Sequence, residues 1–434
     1  MLQYRTLPLK RTTLLCIFFF FLFPTLINAQ YKKQALQYIE KLSSQKFAGR
    51  GYVNDGHIKA SSYIEQKLQS LGYQTSFQNF IFPVVIYPGK IEVSLNNKKL
   101  VSGKDYVVTA GSPNINGQFP VHAVSRKCFL DSKTRDSILI ATKGSFLLIT
   151  TFSSNDTGKK VIDSLAKVIR LLHKAPSNQI TGLIIHDTSQ TKWGISQSFY
   201  NYPIIELNKK GDFTKCTNIS LNVEAELLPK CQSRNVIGII KGTVYPDSFI
   251  VLTSHYDHIG KMGKKALFPG ANDNASGVAM MLCLAEYYAK HSQKYSIACI
   301  AFSAEEVGLI GSKFFVENPV IPLKQFTFMI HFDMIGTGEE GLKVVNGSEL
   351  KRQFNFLKNI NDSLKLLPKV QPRVQGCISD QCYFYRHGVP CFFVYTMGGT
   401  KAYHDIYDKP KGLSLYSFDN LAELSKLFIA RIQE

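Results

Sequence analysis

The feature that most constrains the fold is a series of apolar runs in the second half of the chain. Each is long enough for an internal strand, and they lie at 249–253, 297–302, 326–330 and 391–395. Uninterrupted apolar strands are typical of sheets that are buried on both faces. Helical patterns at 276–290 and 415–432 accompany them. This alternation predicts an α/β fold, namely a three-layer α/β/α sandwich with a mostly parallel central sheet.

The first residues have the pattern of a targeting segment. Arg5, Lys10 and Arg11 precede an apolar run at 14–26, and Ala29 supplies a small residue for cleavage. A basic region, an apolar core and a small residue in this order are typical of a secretory signal peptide. We therefore expect cleavage near Ala29 and a secreted or periplasmic product. An uncleaved anchor is the alternative, but the run is short for the ~20 residues of a membrane span, so we expect no stable membrane insertion.

The remainder of the chain divides into three parts. Residues 31–80 have helical periodicity, whereas residues 84–225 contain short strands and turns, with a strand–helix–strand order over 146–185. This change of pattern predicts a small α/β domain inserted into a larger one. The predicted segments are a signal peptide at 1–29, the N-terminal part of the main domain at 30–83, the insertion at 84–229 and the rest of the main domain at 230–434.

Charge and cysteines limit the classes of function. The net charge is +19, and signal cleavage would remove three of these positive charges. A basic surface can attract acidic partners, but no basic motif with interleaved aromatic residues is present, so nucleic-acid binding is not expected. No CxxC pair occurs, which argues against a cysteine zinc knuckle. Cys377 and Cys382 can pair across a short loop in an exported protein, and two free thiols are the alternative.

Acids and histidines follow the predicted strands. His255 and Asp257 come after the first apolar run, and alternate residues of an extended segment face the same way. His255 can therefore bind a metal while Asp257 fixes its imidazole. Asp273 lies at the start of the next helix, where a carboxylate can either cap the helix or bridge two cations.

Two more strands end in carboxylates. Glu305 and Glu306 are adjacent after the second run, and such a pair is costly to bring together without a cation or a proton. Asp333 follows the third run, and His404 lies near the end of the chain. Each fragment alone is more often structural, but together they favour a metal site at the carboxyl ends of the strands.

These fragments resemble the di-zinc exopeptidases of metallopeptidase family 28, which include secreted bacterial aminopeptidases. The matching segments are HYDHIG at 255–260, PGANDNASG at 269–277, AFSAEEVGLIGS at 301–312, FDMIG at 332–336 and YHDIYD at 403–408. NVIG at 235–238 and FAGR at 47–50 also fit. The resemblance is strong over 235–408 and fair over 31–80, and residues 84–225 loosely resemble the protease-associated domain of such enzymes.

The resemblance implies a zinc exopeptidase-like fold that holds two Zn²⁺ ions per chain. His255 and Asp333 would bind one ion, Glu306 and His404 would bind the other, and Asp273 would bridge them. Asp257 would orient His255, and Glu305 would be the general base. The implied reaction is hydrolysis of the N-terminal peptide bond of substrates with a free N-terminus, through a water that the two metals share.

Departures from the family pattern keep alternatives open. His331 stands where Asn is common, Gln381 stands where His is common, and Asp405-Ile406 replaces Thr-Pro. A glutaminyl cyclase and a carboxypeptidase acting on acidic C-terminal residues share the fold, and a metal-free binding protein is the alternative from another class. The segments EEVGLIGS and YHDIYD favour the peptidase over the cyclase, and the complete ligand set argues against the binding protein.

Overall fold

The computed structural model describes residues 23–125, 131–150, 180–186, 192–208, 213 and 215–434. Most of the predicted signal peptide lies outside these residues, as does the helix predicted within 146–185 at 161–172. The first helix begins at Phe23 and continues through Ala29, so cleavage there stays a prediction. Within the described ranges, no helix has the length and apolar character needed to cross a bilayer.

The described helices and strands have the following bounds. The helices are α1 Phe23–Leu42, α2 Gly56–Ser70, α3 Ser132–Ala141, α4 Gly277–Lys290, α5 Ile310–Glu317, α6 Lys351–Leu364, α7 Gln381–Arg386 and α8 Phe418–Ile432. The strands of the main sheet are β1 Gln74–Ile86, β10 Glu226–Ile240, β11 Tyr245–His255, β14 Tyr295–Phe302, β15 Phe326–Phe332, β16 Gly341–Val345, β17 Val370–Arg373 and β18 Cys391–Met397. Those of a second sheet are β2 Ile91–Leu95, β3 Lys98–Lys99, β4 Tyr106–Val108, β5 Ile115–Ser125, β6 Phe146–Thr150, β7 Gly182–His186, β8 Ile204–Leu207 and β9 Asn218–Val223. The strands β12 Lys261–Met262 and β13 Ala266–Leu267 form a short ribbon.

The main sheet has the strand order β1-β10-β14-β11-β15-β18-β16-β17. Its four central strands, β14, β11, β15 and β18, are mutually parallel and correspond to the four apolar runs of the sequence. The pairs β1–β10, β10–β14 and β16–β18 are antiparallel. The prediction of an α/β fold is confirmed.

Both faces of the central strands are buried. Along β11, Ile250 and Leu252 point into a core shared with α1, α4 and α8. The alternate residues Phe249 and Val251 point into a separate core that includes Phe315 of α5. Because successive strand residues face opposite sides, burial on both sides explains why these strands are apolar throughout.

The second sheet lies between β1 and β10 in the chain, with the order β3-β2-β9-β5-β6-β7-β8-β4. Its strands run from Ile91 to Val223 and fall within the predicted insertion at 84–229, whose exact limits stay a prediction. The indole of Trp193 stacks on Phe268 with ring centroids 4.8 Å apart. The backbone N–H of Trp193 donates to the carbonyl of His404 at 2.9 Å. The segment after β7 therefore packs directly against a predicted site residue.

Candidate metal centre

The carboxyl ends of the central strands bring the predicted site residues together. His255 is the last residue of β11, and Asp273 lies in the π-helical turn Ala271–Ser276 that precedes α4. Glu305 and Glu306 follow β14, and Asp333 follows β15. His404 reaches the same edge from the loop between β18 and α8. Parallel strands end at one edge of their sheet, which is why residues far apart in sequence meet here.

Six of the seven predicted residues, all except Asp257, form two groups of possible metal ligands together with His258. The first group is His255, Glu305 and Asp333, and the second is His258, Asp273, Glu306 and His404. Within each group, the nitrogen and oxygen atoms that could bind a metal lie within 4.8 Å of one another.

Asp273 belongs to the second group and also faces the first. Its Oδ1 is 3.5 Å from His255 Nε2, and its Oδ2 is 3.0 Å from His404 Nε2. On the outer sides, Asp333 Oδ1 is 3.5 Å from His255 Nε2, and Glu306 Oε2 is 3.0 Å from His404 Nε2. Each oxygen of the Asp273 carboxylate thus faces a different histidine.

The buried polar atoms of this site fit divalent metal ions. Asp333 Oδ1 and His404 Nε2 are buried and form no hydrogen bond within the described part of the chain. Converging carboxylates that are shielded from water are unfavourable unless a cation compensates them. Imidazole nitrogens together with carboxylate oxygens are the donor set that zinc accepts.

The adjacent glutamates have opposite electrostatic environments. Burial raises the pKa of Glu305 well above its ordinary value, an effect that His255 opposes and Glu306 reinforces. Burial also acts to raise the pKa of Glu306, but His404 and the hydrogen bond from His258 outweigh it and hold that pKa well below its ordinary value. The two histidines therefore stabilise the ionised form of Glu306, whereas burial and the neighbouring carboxylate disfavour the ionised form of Glu305.

Asp257 contacts the site differently from the geometry expected of an extended segment. Its Oδ1 is 3.9 Å from His255 Nδ1, and that nitrogen is closer, at 3.2 Å, to the main-chain carbonyl of Asp257. The carboxylate accepts hydrogen bonds from the backbone N–H groups of Glu305 and Glu306, at 3.1 and 3.3 Å, and from the Tyr52 hydroxyl at 3.1 Å. β11 ends at His255, so the alternation rule does not extend to Asp257. Its hydrogen bonds position the loop that carries both glutamates.

His258 is a site residue that the sequence analysis did not single out. Its Nδ1 lies 2.8 Å from Glu306 Oε1, and its buried Nε2 has no hydrogen-bond partner in the described structure. The imidazole therefore fixes the orientation of the Glu306 carboxylate. The available signal was its place in the HYDHIG segment, three residues after His255.

Ser379 is a second residue that sequence reasoning missed. Its hydroxyl lies 3.1 Å from Asp333 Oδ2 and 3.3 Å from Glu305 Oε1, and it can donate to only one of them at a time. His331 Nε2 lies 2.9 Å from the Ser379 hydroxyl oxygen. The Cys377–Cys382 disulfide, with Cα atoms 4.6 Å apart, closes the loop that carries Ser379 and confirms the predicted pairing.

Arg50, from the FAGR segment, holds the turn that carries Asp273. Its fully buried guanidinium donates to five carbonyl oxygens, those of Leu42, Tyr256, Pro269, Gly270 and Asp273. Asp408 accepts hydrogen bonds from the backbone N–H groups of Asn272 and Asp273 at 2.8 and 3.0 Å. Gly270 has φ +59°, and a Cβ there would lie 2.4 Å from His258 Cδ2. The turn is thus fixed by backbone contacts on both sides.

Comparisons with known proteins agree with this geometry. Residues 235–429 match the model of peptidase family M28. The aminopeptidase YwaD of Bacillus subtilis is 27% identical over 246 residues, which is 54% of this chain and 51% of that protein. A glutamate carboxypeptidase 2 homolog of Caenorhabditis elegans is 31% identical over 263 residues, covering 50% of this chain and 33% of that protein. The chain thus spans about half or less of the length of these relatives.

Solved structures show the same fold. The zinc aminopeptidase BSAP of Bacillus subtilis superposes with a TM-score of 0.69 at 20% identity, over 92% of this chain and 94% of that one. An M28 peptidase precursor of Shewanella amazonensis gives a TM-score of 0.66 at 18% identity, over 94% and 97% of the two chains.

An α/β sheet whose strand ends carry two adjoining groups of histidines and carboxylates is a scaffold suited to a metal-dependent hydrolase. More specifically, residues 235–429 match peptidase family M28, and the relatives that the chain resembles include an aminopeptidase and probable zinc metalloproteases.

Proposed function

We propose that this protein is an exported aminopeptidase that binds two Zn²⁺ ions per chain and hydrolyses the N-terminal peptide bond of its substrates. The observation that carries the proposal is the position of Asp273, whose two oxygens face two separate histidines. His255 and Asp333 would then hold one ion, Glu306 and His404 would hold the other, and Asp273 would contribute to both. The basic and apolar pattern before Ala29 supports export.

The proposed architecture follows from the same features. The separate cores on the two faces of β11 support a three-layer α/β/α sandwich for the main domain. The eight strands between β1 and β10 support an inserted domain close to 84–229. The site residues lie at one edge of this sandwich. They are carried by strand ends, by the turn before α4 and by the loop after β18.

The protein's own residues have distinct roles in the proposed reaction. When bound, two zinc ions supply an acidified water and polarise the carbonyl that it attacks. Glu305 accepts the proton of the attacking water and delivers it to the departing amine. Ser379 donates to Glu305 Oε1 or to Asp333 Oδ2 and so limits the orientations that either carboxylate adopts. Asp257 holds the backbone of Glu305 and Glu306.

Two observations favour attack at the amino end of a peptide. The cavity next to the site has a volume of about 260 Å³, which is on the scale of one residue rather than a long peptide. Two relatives that the chain resembles, in sequence and in fold, are described as aminopeptidases.

A carboxypeptidase is the second candidate, and one observation favours it. Arg373 lines the same cavity and could bind a terminal carboxylate. A relative at 31% identity is described as a glutamate carboxypeptidase 2 homolog. The sequence relative and the structural neighbour described as aminopeptidases weigh against this reading.

Hydrolysis of paired substrates tests the proposal. We expect the zinc-loaded protein to hydrolyse leucine p-nitroanilide and to lose nearly all of this activity with the N-acetylated compound, because acetylation blocks the free amino group that an aminopeptidase requires. Chelation with phenanthroline should abolish turnover, and added zinc should restore it. Release of C-terminal residues from N-acetylated peptides would instead support the carboxypeptidase, and cyclisation of an N-terminal glutamine without hydrolysis would support the cyclase. Inactivity on every substrate with metal bound would contradict the enzyme assignment.

A further inference from the structure

The cavity beside the metal centre has walls that the proposed reaction does not use. Above the floor of His255 and the carboxylates, it is lined by Met334, Arg373, Ile378, Phe393, Tyr395 and Tyr403. Among the described lining residues, Arg373 is the one lysine or arginine. The cavity therefore combines potential metal ligands, apolar and aromatic side chains, and one arginine, which is exposed.

Arg373 lies across the sheet from the metal site. It is the last residue of β17 and is paired with Val345, which in turn is opposite Phe393 of β18. Phe393 is opposite His331 in β15, two residues before Asp333. Three inter-strand steps of ~4.8 Å therefore separate the backbone of Arg373 from that of His331 by roughly 14 Å. Because Arg373 and His255 line the same cavity of about 260 Å³, a ligand the size of one residue can contact both.

The guanidinium is oriented by a tyrosine and has no acidic partner among the described residues. Its Nη1 donates to the Tyr395 hydroxyl at 2.9 Å, and its Cζ lies 6.0 Å from the centre of that ring. The Tyr395 ring packs against Phe393 with centroids 5.4 Å apart, so the tyrosine is itself supported by the cavity wall. No carboxylate of the described residues forms an ion pair with Arg373. Most of its five N–H donors remain available to a ligand.

Resting on the proposed aminopeptidase function, we propose that Arg373 selects substrates whose N-terminal residue is acidic. The α-amino group lies at the metal site, and the side-chain carboxylate accepts hydrogen bonds from Arg373. Phe393 and Ile378 line the path between them and contact the methylene groups of the side chain. A planar guanidinium pairs with a carboxylate in two-point geometry. Glutamate reaches further toward β17 than aspartate and is therefore the preferred residue.

The carboxylate that Arg373 binds could come from either of two places. It is the side chain of the first residue in an aminopeptidase substrate, or the main-chain terminus in a carboxypeptidase substrate. The proposed aminopeptidase function selects the first source, because its substrate places the α-amino group at the metal site and the side chain toward Arg373. Glutamine is the matched test residue, since it has the length of glutamate without the charge.

The experiment compares glutamyl, glutaminyl, leucyl and lysyl p-nitroanilides with the zinc-loaded protein and its Arg373→Gln and Arg373→Glu variants. For the unmodified protein, we expect kcat/KM for the glutamyl compound to exceed that for the glutaminyl compound by at least about tenfold, as hydrogen bonds between charged groups permit. Arg373→Gln should bring this ratio close to one, and Arg373→Glu should shift the preference to the lysyl compound. Lys343→Gln is the matched control, because this cation lies on the neighbouring strand β16 opposite Tyr395 and does not line the cavity. It should leave the ratio unchanged.

A binding measurement covers the case in which turnover is slow. L-Glutamate should raise the melting temperature of the zinc-loaded protein more than L-glutamine does, and Arg373→Gln should remove this difference. Hydrolysis of the leucyl compound with equal use of glutamyl and glutaminyl substrates would overturn the role of Arg373 and leave the aminopeptidase standing. Cleavage of N-acetyl-alanyl-glutamate that depends on Arg373, without hydrolysis of any anilide, would overturn both. Equal stabilisation by glutamate and glutamine would likewise exclude charge selection.

Discussion

Replacing Glu305 with glutamine is expected to lower kcat by about 10²–10⁴-fold, the usual contribution of a positioned general base. The amide has nearly the same shape and can still hydrogen-bond with Ser379, but it cannot take up a proton. Metal content and thermal stability should change little, because the residues assigned as metal ligands are unaltered. Steady-state kinetics and elemental analysis on the same preparation check both parts of this expectation.

Glu306→Gln is the matched control for that substitution. It makes the same chemical change in the adjacent residue, but Glu306 lies 3.0 Å from His404 Nε2 and 2.8 Å from His258 Nδ1. We expect it to weaken metal binding in the group that contains His404, along with activity. If Glu305→Gln kept near-normal kcat with metal bound, the base would have to be another acid at the site.

Replacing Arg50 with methionine is expected to lower the free energy of unfolding by roughly 5 kcal/mol or more. The change removes a donor from five buried carbonyl oxygens, of which the Gly270 oxygen keeps a backbone donor, the Ala275 N–H. Each group left unsatisfied costs about 1–3 kcal/mol. Burial lowers the pKa of Arg50 to about 10, so the guanidinium is charged at neutral pH. Such a loss is comparable with the whole stability of many domains, about 5–15 kcal/mol, so the variant should accumulate unfolded.

Arg50→Lys keeps the charge but offers three donors in place of five. We expect it to fold with a loss of about 2–6 kcal/mol, since at least two carbonyls lose their partner, and to bind zinc more weakly because the Asp273 turn loosens. Urea unfolding with and without zinc measures both effects. Arg234→Met is the control, because Arg234 contacts Ser61, Ser62 and the Phe77 ring away from this turn. An Arg50→Lys variant as stable as the unmodified protein would show that these hydrogen bonds matter little.

The central sheet could be predicted from the sequence because its strands are buried on both faces. The apolar runs at 249–253, 297–302 and 391–395 coincide with the cores of β11, β14 and β18. The flanking strands were harder to predict. β16 and β17 lie toward one edge of the sheet, and the end of β17 is exposed and polar, so hydrophobic pattern does not identify it.

The histidines and carboxylates proposed as metal ligands could be predicted from the sequence because most of them follow the ends of predicted strands. His258 and Ser379 could not, since each acts through a loop conformation that periodicity does not encode. The alternation argument for Asp257 assumed that the strand continued beyond His255, but β11 ends there. Arg373 was missed because its position depends on strand register across β16 and β18, which one sequence does not reveal.

Metal stoichiometry tests the central claim most directly. Chelated protein, reloaded with zinc and freed of excess metal, should contain close to two ions per chain by elemental analysis. Asp273→Asn should reduce the content of both sites together, because this residue faces both histidines. His404→Ala should reduce mainly one. A well-folded protein that retained no zinc after reloading would contradict the assignment of these residues as a two-metal catalytic centre.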